Sequence, residues 1–188
     1  MKLYWIAVFI LLLACGKDEK QNADLMPAET VQIGEAAISW QAPQNWAKET
    51  PQSSFRIAQF RIPKVETDPE DASCVVFYFR GEGGGVQSNL ERWYGQFQQP
   101  DGKPSKEVAQ VQETTVNGLK QTWVDVSGTF LFQPMPMGPT TVEKPNFRML
   151  AAVVECNSGP LFVKLVGPQA TVENCKDAYF AFMNSFKQ

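Results

Sequence analysis

The chain has 188 residues, 44% of them hydrophobic and 12% aromatic, which is enough apolar material for one well-packed domain. Seventeen basic residues against 20 acidic ones give a net charge of −3, so the basic footprint of a duplex-binding protein is missing and no nucleic-acid partner is expected. There is no histidine; Ser-His-Asp, Cys-His and His-ligated zinc chemistries are excluded, leaving Asp, Glu, Lys, Tyr or Cys for any catalysis.

The chain opens MKLYWIAVFILLLACG, one lysine before an unbroken apolar run from Leu3 to Ala14. A helix needs about 20 residues to cross a bilayer, so this shorter run reads as the core of a signal peptide over residues 1–14. Leu12-Leu13-Ala14-Cys15 resembles the lipobox of bacterial lipoproteins. That resemblance implies cleavage before Cys15, a diacylglyceryl thioether on its sulfur and acylation of the new amino group. The membrane is then a partner through the N-terminal anchor, in a bacterial cell envelope. Gly16, where an aspartate would favour inner-membrane retention, points to the periplasmic face of the outer membrane if the organism is Gram-negative. The alternative is an ordinary secretory signal with an incidental cysteine. Residues 15–30 are polar and lack hydrophobic period, reading as a lipidated flexible tether with an end-to-end distance of roughly 20 Å. Residues 31–188 remain as a single globular domain.

Within that domain, Val31 to Ala42 reads as a hairpin about Gly34-Glu35, and Trp46, after the turn at Pro43, drops onto the core. In SSFRIAQFRIP the alternation switches phase between Ile57 and Ala58, predicting a strand with a bulge near Ala58. Glu66 to Asp71 is an acidic, solvated loop without calcium-loop spacing. Cys74 to Phe79 is apolar throughout, as suits a strand covered on both faces. Four of the five residues from Gly81 to Gly85 are glycine. A helix then carries Val86, Leu90, Trp93, Tyr94 and Phe97 on one stripe, with Ser88-Asn89-Leu90-Glu91 in the form of a capping box, so its start is expected near Ser88. Val108 to Phe132 gives two strands about Asn117-Gly118. Gln133 to Asn146, with four prolines, reads as a loop. Phe147 to Cys156 and Leu161 to Val166 form another hairpin, Gly167-Pro168 breaks the chain, and a last helix from about Thr171 to Phe186 presents Val172, Cys175, Tyr179, Phe182 and Phe186 along one stripe.

This order predicts an α+β fold, an antiparallel β-sheet flanked by helices. The element order and the segment Ile38-Ser39-Trp40-Gln41-Ala42-Pro43-Gln44-Asn45-Trp46 resemble the PsbP-like family of α/β/α sandwiches, which includes a photosystem II extrinsic subunit, a Ran-binding import factor and bacterial envelope lipoproteins. Segments such as RIAQFRIP and NLERWYGQF are also similar to a set of bacterial lipoproteins. Neither carries a catalytic signature, and fold analogy alone does not assign function.

The glycine loop follows a strand and precedes a helix, as phosphate loops do. It lacks the Gly-Lys-Ser/Thr of a P-loop and the third glycine of a dinucleotide fingerprint, and Glu82 would repel phosphate. Gly83, Gly84 and Gly85 read instead as a flexible connection or a partner-contact loop. Met135 and Met137 are a candidate recognition surface, the alternative being a lid folded over the core. Arg56, Arg61, Arg92 and Arg148 could bind an anion if they converge; otherwise they are surface ion pairs. Cys156 and Cys175 are the candidate disulfide, against three free thiols with Cys74. No cofactor, metal site or catalytic residue is indicated. The leading expectation is a non-enzymatic, lipid-anchored envelope protein that binds a protein or other envelope partner. The alternatives are a small ligand held between sheet and helix, or a carboxylate-based enzyme.

Overall fold

The computed structural model describes residues 24–134 and 138–188. Residues 1–14, expected to be a signal peptide, and Cys15, Met135 and Met137 lie outside the described residues. Strands β1 (Glu29–Ile33) and β2 (Ala36–Trp40) form the expected hairpin, but as a separate two-stranded sheet. The body begins earlier than Val31. Met26 N–H donates to the Ala42 carbonyl at 2.7 Å, Gln44 N–H donates to the Asp24 carbonyl at 2.8 Å, and Leu25 bridges Pro43. Backbone groups do most of this joining, so side-chain polarity from Asp24 to Thr30 did not disclose it.

An eight-stranded antiparallel sheet forms the centre, in the order β3-β4-β5-β10-β9-β8-β6, with β7 also paired to β8. Its strands are β3 (Ala47–Lys48), β4 (Arg56–Ile62), β5 (Ala72–Tyr78), β6 (Phe97–Gln98), β7 (Gln110–Val116), β8 (Leu119–Phe132), β9 (Val142–Val154) and β10 (Leu161–Pro168). Among the described residues the α-helices are α1 (Val86–Tyr94), α2 (Gln169–Asn174) and α3 (Lys176–Asn184). One face of the sheet packs against α2, α3 and the β1–β2 hairpin: Trp40 stacks on Phe186 at 5.4 Å, and Trp46 meets Phe182 edge-on at 5.4 Å. The other face carries α1 through Leu90 and Trp93. Cys74 and Val76 point to the first core and Phe77 to the second, which explains why β5 is apolar from Cys74 onward.

Several expected boundaries move. α1 begins at Val86 behind Gly85, and no side chain caps it: Ser88 Oγ donates to the Gly85 carbonyl instead of accepting an N–H. Phe97 is buried as expected but lies in β6, because α1 ends at Tyr94. The proline-rich loop is shorter than Gln133–Asn146, since β9 starts at Val142; Pro145 is accommodated where the β8–β9 register shifts, between the pairs Phe130–Lys144 and Gly128–Phe147. Gly167-Pro168 does not break the chain. Both residues stay paired with β9, and a Cβ on Gly167 would sit 2.4 Å from the Ala72 Cβ, so this glycine admits a close approach. The terminal helix is divided at Cys175, yet its stripe is buried as read.

Candidate functional site

The groove lies on the α1 side of the sheet and follows from strand register. Along β10, Phe162, Lys164 and Val166 alternate toward this face, between apolar residues aimed at the opposite core. Lys164 pairs with Val75 on β5, which pairs with Gln59 on β4; one rung away, Phe162 pairs with Phe77, which pairs with Arg56. The β4 bulge sets the last partner. Register shifts between Arg56 and Ala58, leaving Ile57 packed on the opposite core and turning Arg56 onto the groove face. Arg92 comes from the last turn of α1.

These residues bound a groove of about 810 Å³, with Phe77, Val75 and Phe130 supplying apolar surface and Pro134 and Thr141 also lining it. Among the described residues that line it there is no Asp or Glu. The cations are held by neutral groups: Arg56 donates to Gln59 Oε1 at 2.7 Å, Arg92 to Asn89 Oδ1, and Lys164 Nζ to Gln96 Oε1. Aromatic faces back two of them, with the Arg56 guanidinium 5.6 Å from the Phe77 centroid and Lys164 Nζ 5.1 Å from that of Phe130. Among the described residues none of these cations has a carboxylate within ion-pair distance. Burial, followed by repulsion from Arg92 and Arg56, pushes the Lys164 ammonium down to about 8. An anion entering the groove relieves that repulsion.

The expected arginine set therefore divides. Arg56 and Arg92 converge with Lys164. Arg61 instead pairs with Asp71 at 2.8 Å, and Arg148 pairs with Asp125 at 2.6 Å and with Glu173. The acidic loop is spent on structural contacts as well: Asp68 accepts from the Thr171 N–H at 2.7 Å, and Glu70 pairs with Lys144 at 2.7 Å. Lys164 was missed in sequence although a signal existed, a lone charge inside the strand Leu161-Phe162-Val163-Lys164-Leu165-Val166.

A smaller apolar branch of about 190 Å³ opens from the cations between Phe77, Phe79, Phe162 and Trp93. The glycine loop packs against its rings. A Cβ on Gly83 would lie 2.4 Å from the Phe162 ring, and Asn89 Nδ2 donates to the carbonyls of Gly83 and Gly85 at 2.9 and 2.8 Å. Gly83 thus serves contact, Gly84 a left-handed turn at φ +77°, while Gly85 faces open space. The candidate disulfide is not formed: Cys74, Cys156 and Cys175 are free. Cys156 Sγ donates to the Val154 carbonyl at the end of β9, and buried Cys175 Sγ donates to the Val172 carbonyl of α2 just before it. Burial raises the Cys156 and Cys175 thiols to about 11 and about 12.

No family model matches the chain, and no curated protein does. Among solved structures it is similar to a Pseudomonas aeruginosa protein of unknown function, with a TM-score of 0.48 at 15% identity, covering 84% of this chain and 94% of that one. It is also similar to the cyanobacterial PsbP protein (CyanoP) of Synechocystis, with a TM-score of 0.44 at 10% identity, covering 85% of this chain and 91% of that one.

Proposed function

We propose that this is a lipid-anchored cell-envelope protein whose PsbP-like body binds a small anionic ligand, without catalysis, in the groove between the sheet and α1. The observation that carries this reading is the meeting of Arg56, Arg92 and Lys164 around one concave surface whose lining, among the described residues, has no carboxylate. Cations kept close together repel, at a cost that a structural role would have relieved with an acidic neighbour, as happens at Arg61 and Arg148. Neutral amides hold the side chains in place while leaving their charge available. An extended protein surface fits less well, because the cations line a recess and not a flat face.

The fold reading rests on element order: α1 covers one sheet face, and α2, α3 and the hairpin cover the other. The envelope address rests on the signal peptide and lipobox of the sequence. Fluorescence titration with anilinonaphthalene sulfonate tests the binding claim. Wild type is expected to bind one dye per chain, and Lys164→Met and Arg92→Gln each to weaken it about tenfold, or about 1.4 kcal/mol. Unchanged affinity in both variants would sink the proposal.

A further inference from the structure

Resting on that anion-binding reading, we infer that the ligand is an organic anion built on a single aromatic ring system, its carboxylate or phosphate between Lys164, Arg56 and Arg92 and its ring in the branch beside Phe79. The branch begins where the charges end, since Arg92 and Lys164 border both the main groove and the branch. Its volume of about 190 Å³ is of the order of the roughly 150 Å³ apolar cavity that takes up one benzene. One ring with its substituents fits that space. The walls are ring faces and edges in the spacing that aromatic groups favour: Phe77 and Phe79 stack at 5.9 Å and 5°, and Phe79 meets Phe162 at 5.7 Å and 58°. A planar guest extends this array. Phe77 and Phe79 are half-buried, so part of their surface is left for a guest to cover. Gly83 keeps the branch compact, because its loop lies directly on Phe162 and Phe79. An inorganic anion would satisfy the cations and leave the rings uncovered; a flexible aliphatic acid would cover them without stacking and would lose more conformational freedom.

The experiment is calorimetric titration of the full chain in non-ionic detergent with four probes: indoleacetate, phenyl phosphate, hexanoate and inorganic phosphate. At least one aromatic probe is expected to bind about tenfold or more tightly than both hexanoate and inorganic phosphate, and which of the two it is identifies the head group. Phe79→Leu is expected to weaken the aromatic probes about fivefold or more and leave inorganic phosphate unchanged, while Arg92→Gln weakens every probe. Hexanoate or inorganic phosphate binding as tightly as both aromatic probes would overturn the aromatic inference while sparing the anion site. Failure of all four probes to bind, or binding that Arg92→Gln leaves untouched, would overturn the anion reading and this inference with it. Should Phe79→Leu fail to fold, the ranking of the four probes on wild type decides.

Discussion

Replacing Lys164 by methionine should make the protein more stable while weakening the anion site. The side chain is half-buried beneath α1 and faces two arginines. Methionine keeps the unbranched stem and removes the charge. A lysine held at about 8 instead of the usual 10.5 carries a charge that folding disfavours by roughly 3 kcal/mol, taking about 1.4 kcal/mol per pH unit. Water reaching the open groove and the lost hydrogen bond to Gln96 reduce this to an expected gain of about 2 kcal/mol. The sign of its pH dependence follows from proton binding. Below about 8 the lysine is charged in both folded and unfolded states, and the full cost is present. Between about 8 and 10.5 the folded protein releases the proton while the unfolded chain keeps it, so wild-type stability rises with pH and the advantage of the variant shrinks. Urea denaturation of both proteins at intervals from pH 6.5 to about 10 reads this directly, as a midpoint gap at constant slope that narrows above pH 8. A variant no more stable than wild type at neutral pH, or a gap that ignores pH, would refute the argument that Lys164 is held charged at a cost set first by burial and then by the two arginines.

Gly83→Ala should cost about 1–3 kcal/mol by pressing a methyl group into the Phe162 ring, whereas Gly85→Ala, which meets open space, should change stability little; equal denaturation midpoints for the two variants would contradict the contact role given to Gly83. Tyr179 is fully buried with its hydroxyl unpartnered among the described residues, so Tyr179→Phe should stabilise by about 1 kcal/mol, and a clear loss in thermal or urea stability would reveal a partner for that hydroxyl. Cys15→Ser should abolish palmitate labelling and release the protein from membranes, because acyl chains supply the anchoring; labelling that persists in the variant would remove the anchor proposal.

Short-range features were readable because they depend on residues close in sequence. Asn117 and Gly118 take the left-handed conformations, φ +50° and +82°, that a tight hairpin between paired strands needs. The change of phase at Ala58 disclosed the β4 bulge, and the spacing of Val172, Cys175, Tyr179, Phe182 and Phe186 disclosed a buried helical stripe. Errors gathered where backbone partners lie far away. Pro145 and Gly167-Pro168 looked like breaks, yet both are accommodated within long strands because the sheet supplies partners or needs a close approach at those points. Residues Asp24 to Thr30 looked like tether, yet they join the body largely through carbonyl and amide contacts that side-chain polarity does not announce, with Met26 against the core and Glu29 paired to Lys48.

The groove belongs to the same class of long-range feature. Arg56, Arg92 and Lys164 stand in three separate segments, and nothing local distinguishes Arg56 and Arg92 from Arg61 and Arg148, which turned out to be ion-paired. The sequence by itself determined the absence of histidine chemistry, the alternation and turns that make an antiparallel sheet, and the helical stripes that cover it. Only the tertiary structure decided which charges meet. Placing β10 between β5 and β9, with the β4 bulge turning Arg56, is a choice of strand order and register. That choice is made by how two cores pack together, a property of the whole chain that no short stretch contains.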